Sequence, residues 1–209
     1  IGLIVDEWGT WHPPTPGRHP RFLWQQNTLR DALVAALTLD IFNRHADKVV
    51  MANIAQTVNV LQALLLTEAG QTIMTPTYHV YDLYRPHHGA LALRTEIAAP
   101  DVAWSYRGEE QRLPGLAGSA SVHGTTLVLT VVNPRIGEPA EVEIALRGDA
   151  RAVGVTETVL THPDIHAHNT FAAPEAVRLT PARSLAATGR SFRHTLEPQS
   201  VTRLDIELA

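Results

Sequence analysis

Asp6 and Glu7 are neighbouring carboxylates that end a short apolar run, Ile1-Gly-Leu-Ile-Val5, and Trp8 and Trp11 stand beside them. Carboxylates so placed suit proton transfer or nucleophilic attack. The run is too short for a helix and rich in β-branched residues, which predicts a strand buried on both faces. Acidic residues at the C-terminal tip of a buried parallel strand, where a βα loop begins, lie on the face where barrel enzymes keep their chemistry. The competing reading is that Asp6 and Glu7 merely end a strand with soluble side chains.

The elements that must hold this tip follow in order. The stretch His12-Pro-Pro-Thr-Pro-Gly-Arg-His-Pro20 forbids regular structure and predicts a loop over the strand tip. Asn27 or Thr28 caps a helix, with Asp31 completing a capping box to Thr28. Leu29, Ala32, Leu33, Ala36, Leu37 and Ile41 form its apolar face, and Arg44, His45 and Lys48 fall near its negative end. Val49–Ala55 repeats the buried-strand pattern with polar Gln56 and Asn59 at its tip, and after a loop Ile73–Tyr84 reads as a second helix with Pro76 in the first turn. Strand, helix, strand, helix amounts to two βα units of a parallel α/β architecture. Two units cannot fill a barrel core, so residues 1–88 are expected to be the last quarter of a (β/α)8 barrel. From Leu91 the period drops toward two, in Leu91–Ile97, Thr126–Val132, Glu141–Leu146 and Val201–Leu208. That pattern predicts an antiparallel β-sandwich over residues 89–209.

Composition narrows the function classes. A net charge of −4 and no basic stripe argue against nucleic acid. No stretch is apolar for long enough to span a bilayer. The absence of cysteine excludes disulfides and thiolate metal sites. The chain begins without Met inside an apolar run and reads as a fragment. Among eleven histidines, His162, His166 and His168 are closely spaced. Their only nearby carboxylate is Asp164, which favours solvated loop histidines over a metal site. His87 and His88 read as linker, and His12 and His19 lie near the strand tip.

Several motifs together carry a family resemblance. Asp6-Glu-Trp8, Arg44-His-Ala-Asp-Lys-Val49, Ala52-Asn-Ile-Ala-Gln-Thr-Val-Asn59 and Gln71-Thr-Ile73 resemble the last two strand-helix units of the α-L-arabinofuranosidases of glycoside hydrolase family 51. Asn169-Thr-Phe171 with Pro174-Glu-Ala-Val177 resembles part of that family's C-terminal domain. The resemblance implies a barrel followed by a jelly-roll-like sandwich, and hydrolysis of terminal arabinofuranosyl linkages with retention. It makes Glu7 the nucleophile, Gln56 a hydrogen-bonding partner of the sugar, and Trp11 a flat wall of the sugar pocket. Trp8 and Trp24 could serve likewise, although a buried aromatic is more often core. Gly9 stands where the family commonly has asparagine.

A retaining glycosidase needs a second carboxyl about 5–5.5 Å from the nucleophile. Asp6 suits this poorly because adjacent strand residues point to opposite sides, and Glu68 has no fixed direction. The resemblance instead puts the acid/base on an earlier strand outside this chain, so the fragment alone is expected to be inactive. It implies no cofactor and no metal, an arabinofuranosyl-containing oligosaccharide as substrate, the N-terminal part of the same enzyme as partner, a homo-oligomer, and a cytoplasmic location. The open alternatives are another retaining barrel glycosidase, such as a β-xylosidase or endoglucanase, and a non-catalytic carbohydrate-binding or assembly module.

Overall fold

β1 (Leu3–Trp8) and β2 (Val49–Ile54) pair in parallel, with α1 (Leu29–Arg44) connecting them. The computed structural model describes residues 1–209. Thr28 caps α1 as the sequence predicts. Its backbone N–H and hydroxyl donate to the Asp31 carboxylate at 2.8 and 3.0 Å, satisfying groups that a helix start leaves open. Leu29, Ala32, Leu33, Ala35 and Ala36 are buried. The last turn departs from the expected face, because Ile41 is exposed and Asp40 is buried in its place. Asp40 is tolerated there because the Tyr84 and Ser119 hydroxyls donate to it, at 2.8 and 2.6 Å.

The two strands are not buried on both faces. Leu3 and Ile4, and likewise Val50 and Met51, are exposed, and because neighbouring strand residues point to opposite faces the two-stranded sheet is open on both sides at this end. Trp8 and Ile54, near the other end, pack on the α1 core. After β2 the chain forms a hairpin, β3 (Leu65–Glu68) and β4 (Gln71–Met74). Ile73 therefore lies in a strand and not in the second helix, which starts later as α2 (Pro76–Tyr84). Thr75 caps α2, its hydroxyl accepting from the Tyr78 N–H at 3.3 Å, and Pro76 takes the first turn.

A 3-10 turn at Arg85–His87 leads into β5 (Leu91–Leu93), β6 (Val102–Tyr106), β7 (Glu109–Leu113), β8 (Ala117–His123), β9 (Thr126–Asn133) and β10 (Ala140–Ala145). β11 (Ala152–Leu160), β12 (Arg183–Leu185), β13 (Ser191–Leu196) and β14 (Ser200–Leu208) complete the chain. An antiparallel sheet in the order β12-β11-β14-β9-β8-β5 carries the ribbon β10-β13 on one face. Leu127, Leu129 and Val131 of β9 and Leu204 and Ile206 of β14 point toward the ribbon. The opposite face meets the helices. Val132, Leu160, Val177 and Val201 share one apolar core with α1 and with Val80, Leu83 and Tyr84 of α2. His87 is part of this contact, not a free linker. Its ring nitrogens lie 2.7 Å from Ser121 Oγ and 3.0 Å from Thr130 Oγ1.

Candidate active site

The tips of β1 and β2 are joined by one backbone hydrogen bond, from the Ala55 N–H to the Trp8 carbonyl at 2.9 Å. Glu7 immediately precedes one partner and Gln56 immediately follows the other, so the two predicted site residues flank a single bond. Both side chains are exposed, as is Trp11 at 69%. Pairing between the strands is irregular here: Val5 to Trp8 in β1 spans the same length as Ala52 to Ile54 in β2. The extra residue interrupts the strict alternation expected to set Asp6 opposite Glu7, and bulges of this kind re-aim side chains at strand ends. Asp6 and Glu7 are both exposed, whereas Val5 and Trp8 on either side are half-buried.

The tryptophans divide by role. Trp8 lies edge-on to Phe42 with ring centroids 5.4 Å apart and belongs to the core. Trp24 packs on the Ala63, Leu66 and Ile73 cluster, and the Arg18 guanidinium covers its ring at 4.3 Å. Trp11 alone of the three presents an open ring. Arg18 also grips Glu68 through two hydrogen bonds of 2.5 and 2.9 Å, which lowers the pKa of Glu68. Glu68 thus ties the proline-rich loop to the β3-β4 hairpin.

Beneath the exposed tip is a buried polar network that the sequence reading missed. Asp31 is fully buried, and its Oδ1 lies 3.0 Å from Thr10 Oγ1 and 2.7 Å from His12 Nε2. Burial pushes its pKa up, but hydrogen bonds from the Thr28 backbone, His12 and the Thr28 hydroxyl, with the charge of Arg30, outweigh this and hold it below the ordinary value. Gln62, also fully buried, accepts from the Thr10 N–H at 2.7 Å and donates to the Asp31 carbonyl at 2.8 Å and Thr77 Oγ1 at 3.1 Å. Gln25 accepts from the His12 N–H at 2.9 Å and donates to the Thr10 carbonyl at 3.2 Å. The available signal was a set of amides, Gln25, Asn27 and Gln62, flanking apolar runs.

The histidine-rich loop of the sandwich serves this same region. The carbonyls of Ala167 and Ile165 accept from the Leu29 and Arg30 N–H groups at 3.0 and 2.9 Å, closing the open start of α1. His162 accepts from the Asp164 N–H through Nδ1 at 3.0 Å. No three His, Asp or Glu side chains anywhere in the chain are placed to hold a metal ion together. An apolar cavity of about 1170 Å³ lies elsewhere, between the six-stranded sheet and the β10-β13 ribbon, lined by Leu116, Leu129, Val142 and Ile144. None of Glu7, Trp11 and Gln56 borders it.

Two parallel βα units with a carboxylate and an amide at adjoining strand tips, fused to an antiparallel jelly-roll-like sandwich, define the C-terminal end of a barrel-plus-sandwich protein. The family described as Alpha-L-arabinofuranosidase C-terminal domain matches residues 6–200, and the chain belongs to it. It is 34% identical to an intracellular exo-alpha-L-arabinofuranosidase of Bacteroides ovatus over 99% of this chain and 40% of that protein. The GH51 arabinofuranosidase structure from Xanthomonas axonopodis pv. citri superposes with TM-score 0.89 at 39% identity, covering 99% of this chain and 41% of that one. An arabinose complex of the Thermotoga maritima alpha-L-arabinofuranosidase gives TM-score 0.83 at 26% identity, covering 99% and 43%. The chain thus spans about two-fifths of the length of these relatives.

Proposed function

We propose that this chain is the C-terminal part of a retaining α-L-arabinofuranosidase that removes terminal non-reducing arabinofuranosyl residues from arabinan- or arabinoxylan-type saccharides. The division falls near residue 88, with the barrel portion before it and the sandwich after it. Glu7 is the nucleophile. Its ionised carboxylate attacks the anomeric carbon while the glycosidic C–O bond breaks, and an acid carboxyl from outside this chain protonates the leaving oxygen. The same outside group then takes a proton from water, which displaces Glu7 and returns the sugar with its original configuration. Gln56 hydrogen-bonds sugar hydroxyls, since an amide both donates and accepts, and Trp11 offers a flat face to the ring. No step calls for a cofactor.

The observation that carries this reading is the Ala55-to-Trp8 hydrogen bond, which joins the adjoining tips of β1 and β2 where Glu7 and Gln56 lie. Relatives named as intracellular support a cytoplasmic location, and a homo-oligomer is part of the same proposal. The test is a panel of aryl glycosides given to the protein that carries this chain together with its remaining barrel. Cleavage of the α-L-arabinofuranoside well ahead of the β-xyloside and β-glucoside is expected, with no turnover by residues 1–209 alone. Preference for the xyloside, or turnover by the isolated chain, would overturn the assignment.

A further inference from the structure

Thr10, three residues beyond Glu7, is where two separate elements grip the exit of β1. Asp31 of α1 takes its hydroxyl at 3.0 Å, and Gln62, from the loop after β2, takes its N–H at 2.7 Å and lies 3.2 Å from its hydroxyl. Asp31 and Gln62 are both fully buried, and they are bonded to each other through the Asp31 carbonyl. Gln62 is in turn locked to the loop that carries Gln56, because its own N–H donates to the Ala55 carbonyl at 2.8 Å. One short side chain therefore links the strand end bearing Glu7 and Trp11, the helix between the strands, and the loop bearing Gln56. The hydroxyl has a single proton to give. The ionised Asp31 is the stronger and nearer acceptor, so the bond has a fixed direction.

We propose that Thr10 is a positioning residue of the active site. Its hydroxyl, held by Asp31 and Gln62, fixes the path from Glu7 to Trp11 and so places the attacking carboxylate and the sugar-facing ring together. This rests on the arabinofuranosidase reading of the site. Misplacing a reacting group by a fraction of its contact distance costs rate even when binding survives, so the loss belongs in kcat more than in KM. Thr10 serves this purpose without touching the sugar.

Thr10→Val keeps the shape and removes the donor, while Thr10→Ser keeps the donor. In the protein carrying its barrel, Thr10→Val is expected to lower kcat per titrated active site by about 10- to 100-fold, with KM changed by less than about threefold. Thr10→Ser is expected to recover most of that loss. Hydrogen exchange at the amides of residues 9–12 is expected to quicken in the valine variant and not in the serine variant. A kcat per active site unchanged in Thr10→Val, or a serine variant as slow as the valine one, would overturn the proposal. A wild-type protein that leaves arabinofuranosides intact would overturn the substrate reading instead. Exchange at residues 9–12 then decides the clamp by itself, and unaltered exchange in Thr10→Val would refute it.

Discussion

Gly9 shows what the strand tip demands of a single residue. Its φ of +143° is a backbone conformation that side-chain-bearing residues avoid. A Cβ there would also stand 3.1 Å from Gln62 Oε1, the atom that accepts from Thr10. The asparagine common at this place in the resembling family would therefore not fit the path this chain takes. Gly9→Ala should cost about 1–3 kcal/mol of stability, read as a lower urea midpoint with an unchanged slope. An unaltered midpoint would show that the tip relaxes freely. Glu7, Gln56 and Trp11 could be offered as candidates from the sequence because the family resemblance singles them out, Glu7 and Gln56 inside the motifs Asp6-Glu-Trp8 and Ala52–Asn59. Thr10, Asp31 and Gln62 could not, because their bonds join residues as many as 52 positions apart. Asp31 was read correctly as a helix cap, but its second task, holding Thr10 and His12, leaves no trace in local spacing.

At the scale of elements, α1, β9, β10 and β14 were legible because their periods are regular, whereas β8 and β11 of the same sandwich were not singled out. Nor was the β3-β4 hairpin. Its turn uses Ala69 at φ +48° before Gly70 at φ +80°, and alanine at the first left-handed position hides the usual turn signal. Asn169 explains one of the sandwich motifs physically. Its buried amide donates to the Met74 and Val177 carbonyls, both at 2.9 Å, and accepts from the Val177 N–H at 2.7 Å. It fastens a sandwich loop to the end of β4, beside Phe171, which packs on the hairpin core. Asn169→Ala would leave three backbone groups, two of them buried, without this partner and should destabilise the fold by roughly 2–4 kcal/mol. A thermal-unfolding midpoint within a degree of wild type would contradict that role.

Across the whole molecule, the helices and the sandwich meet through titratable groups of opposite behaviour. Burial raises the pKa of Asp40 to about 7, against hydrogen bonds from Ser119 and Tyr84 and the charge of Arg44. The folded protein thus holds this proton more tightly than the unfolded chain. The stability so contributed is complete below about pH 4 and is lost as pH rises to about 7, a swing of roughly 4 kcal/mol. Burial, with the charge of Arg203, lowers His87 to about 4. Its contribution is complete above the ordinary histidine range and is lost as pH falls toward 4, a swing of roughly 3 kcal/mol. The two slopes oppose each other in the wild type. Asp40→Asn should therefore gain stability relative to wild type as pH rises from 4 to 7, and His87→Gln should gain as pH falls from 6.5 to 4. Parallel stability curves for all three proteins would refute the pairing. The sandwich also closes the start of α1, the helix whose Asp31 holds Thr10, so the proposed active-site tip depends on both halves of the chain. The most direct measurement at that tip is covalent trapping with an activated 2-deoxy-2-fluoro-α-L-arabinofuranoside, using the protein that carries this chain and its barrel. Peptide mass spectrometry should find the sugar esterified to Glu7; a label on Asp6, on Glu68 or on a carboxylate outside residues 1–209 would contradict the account.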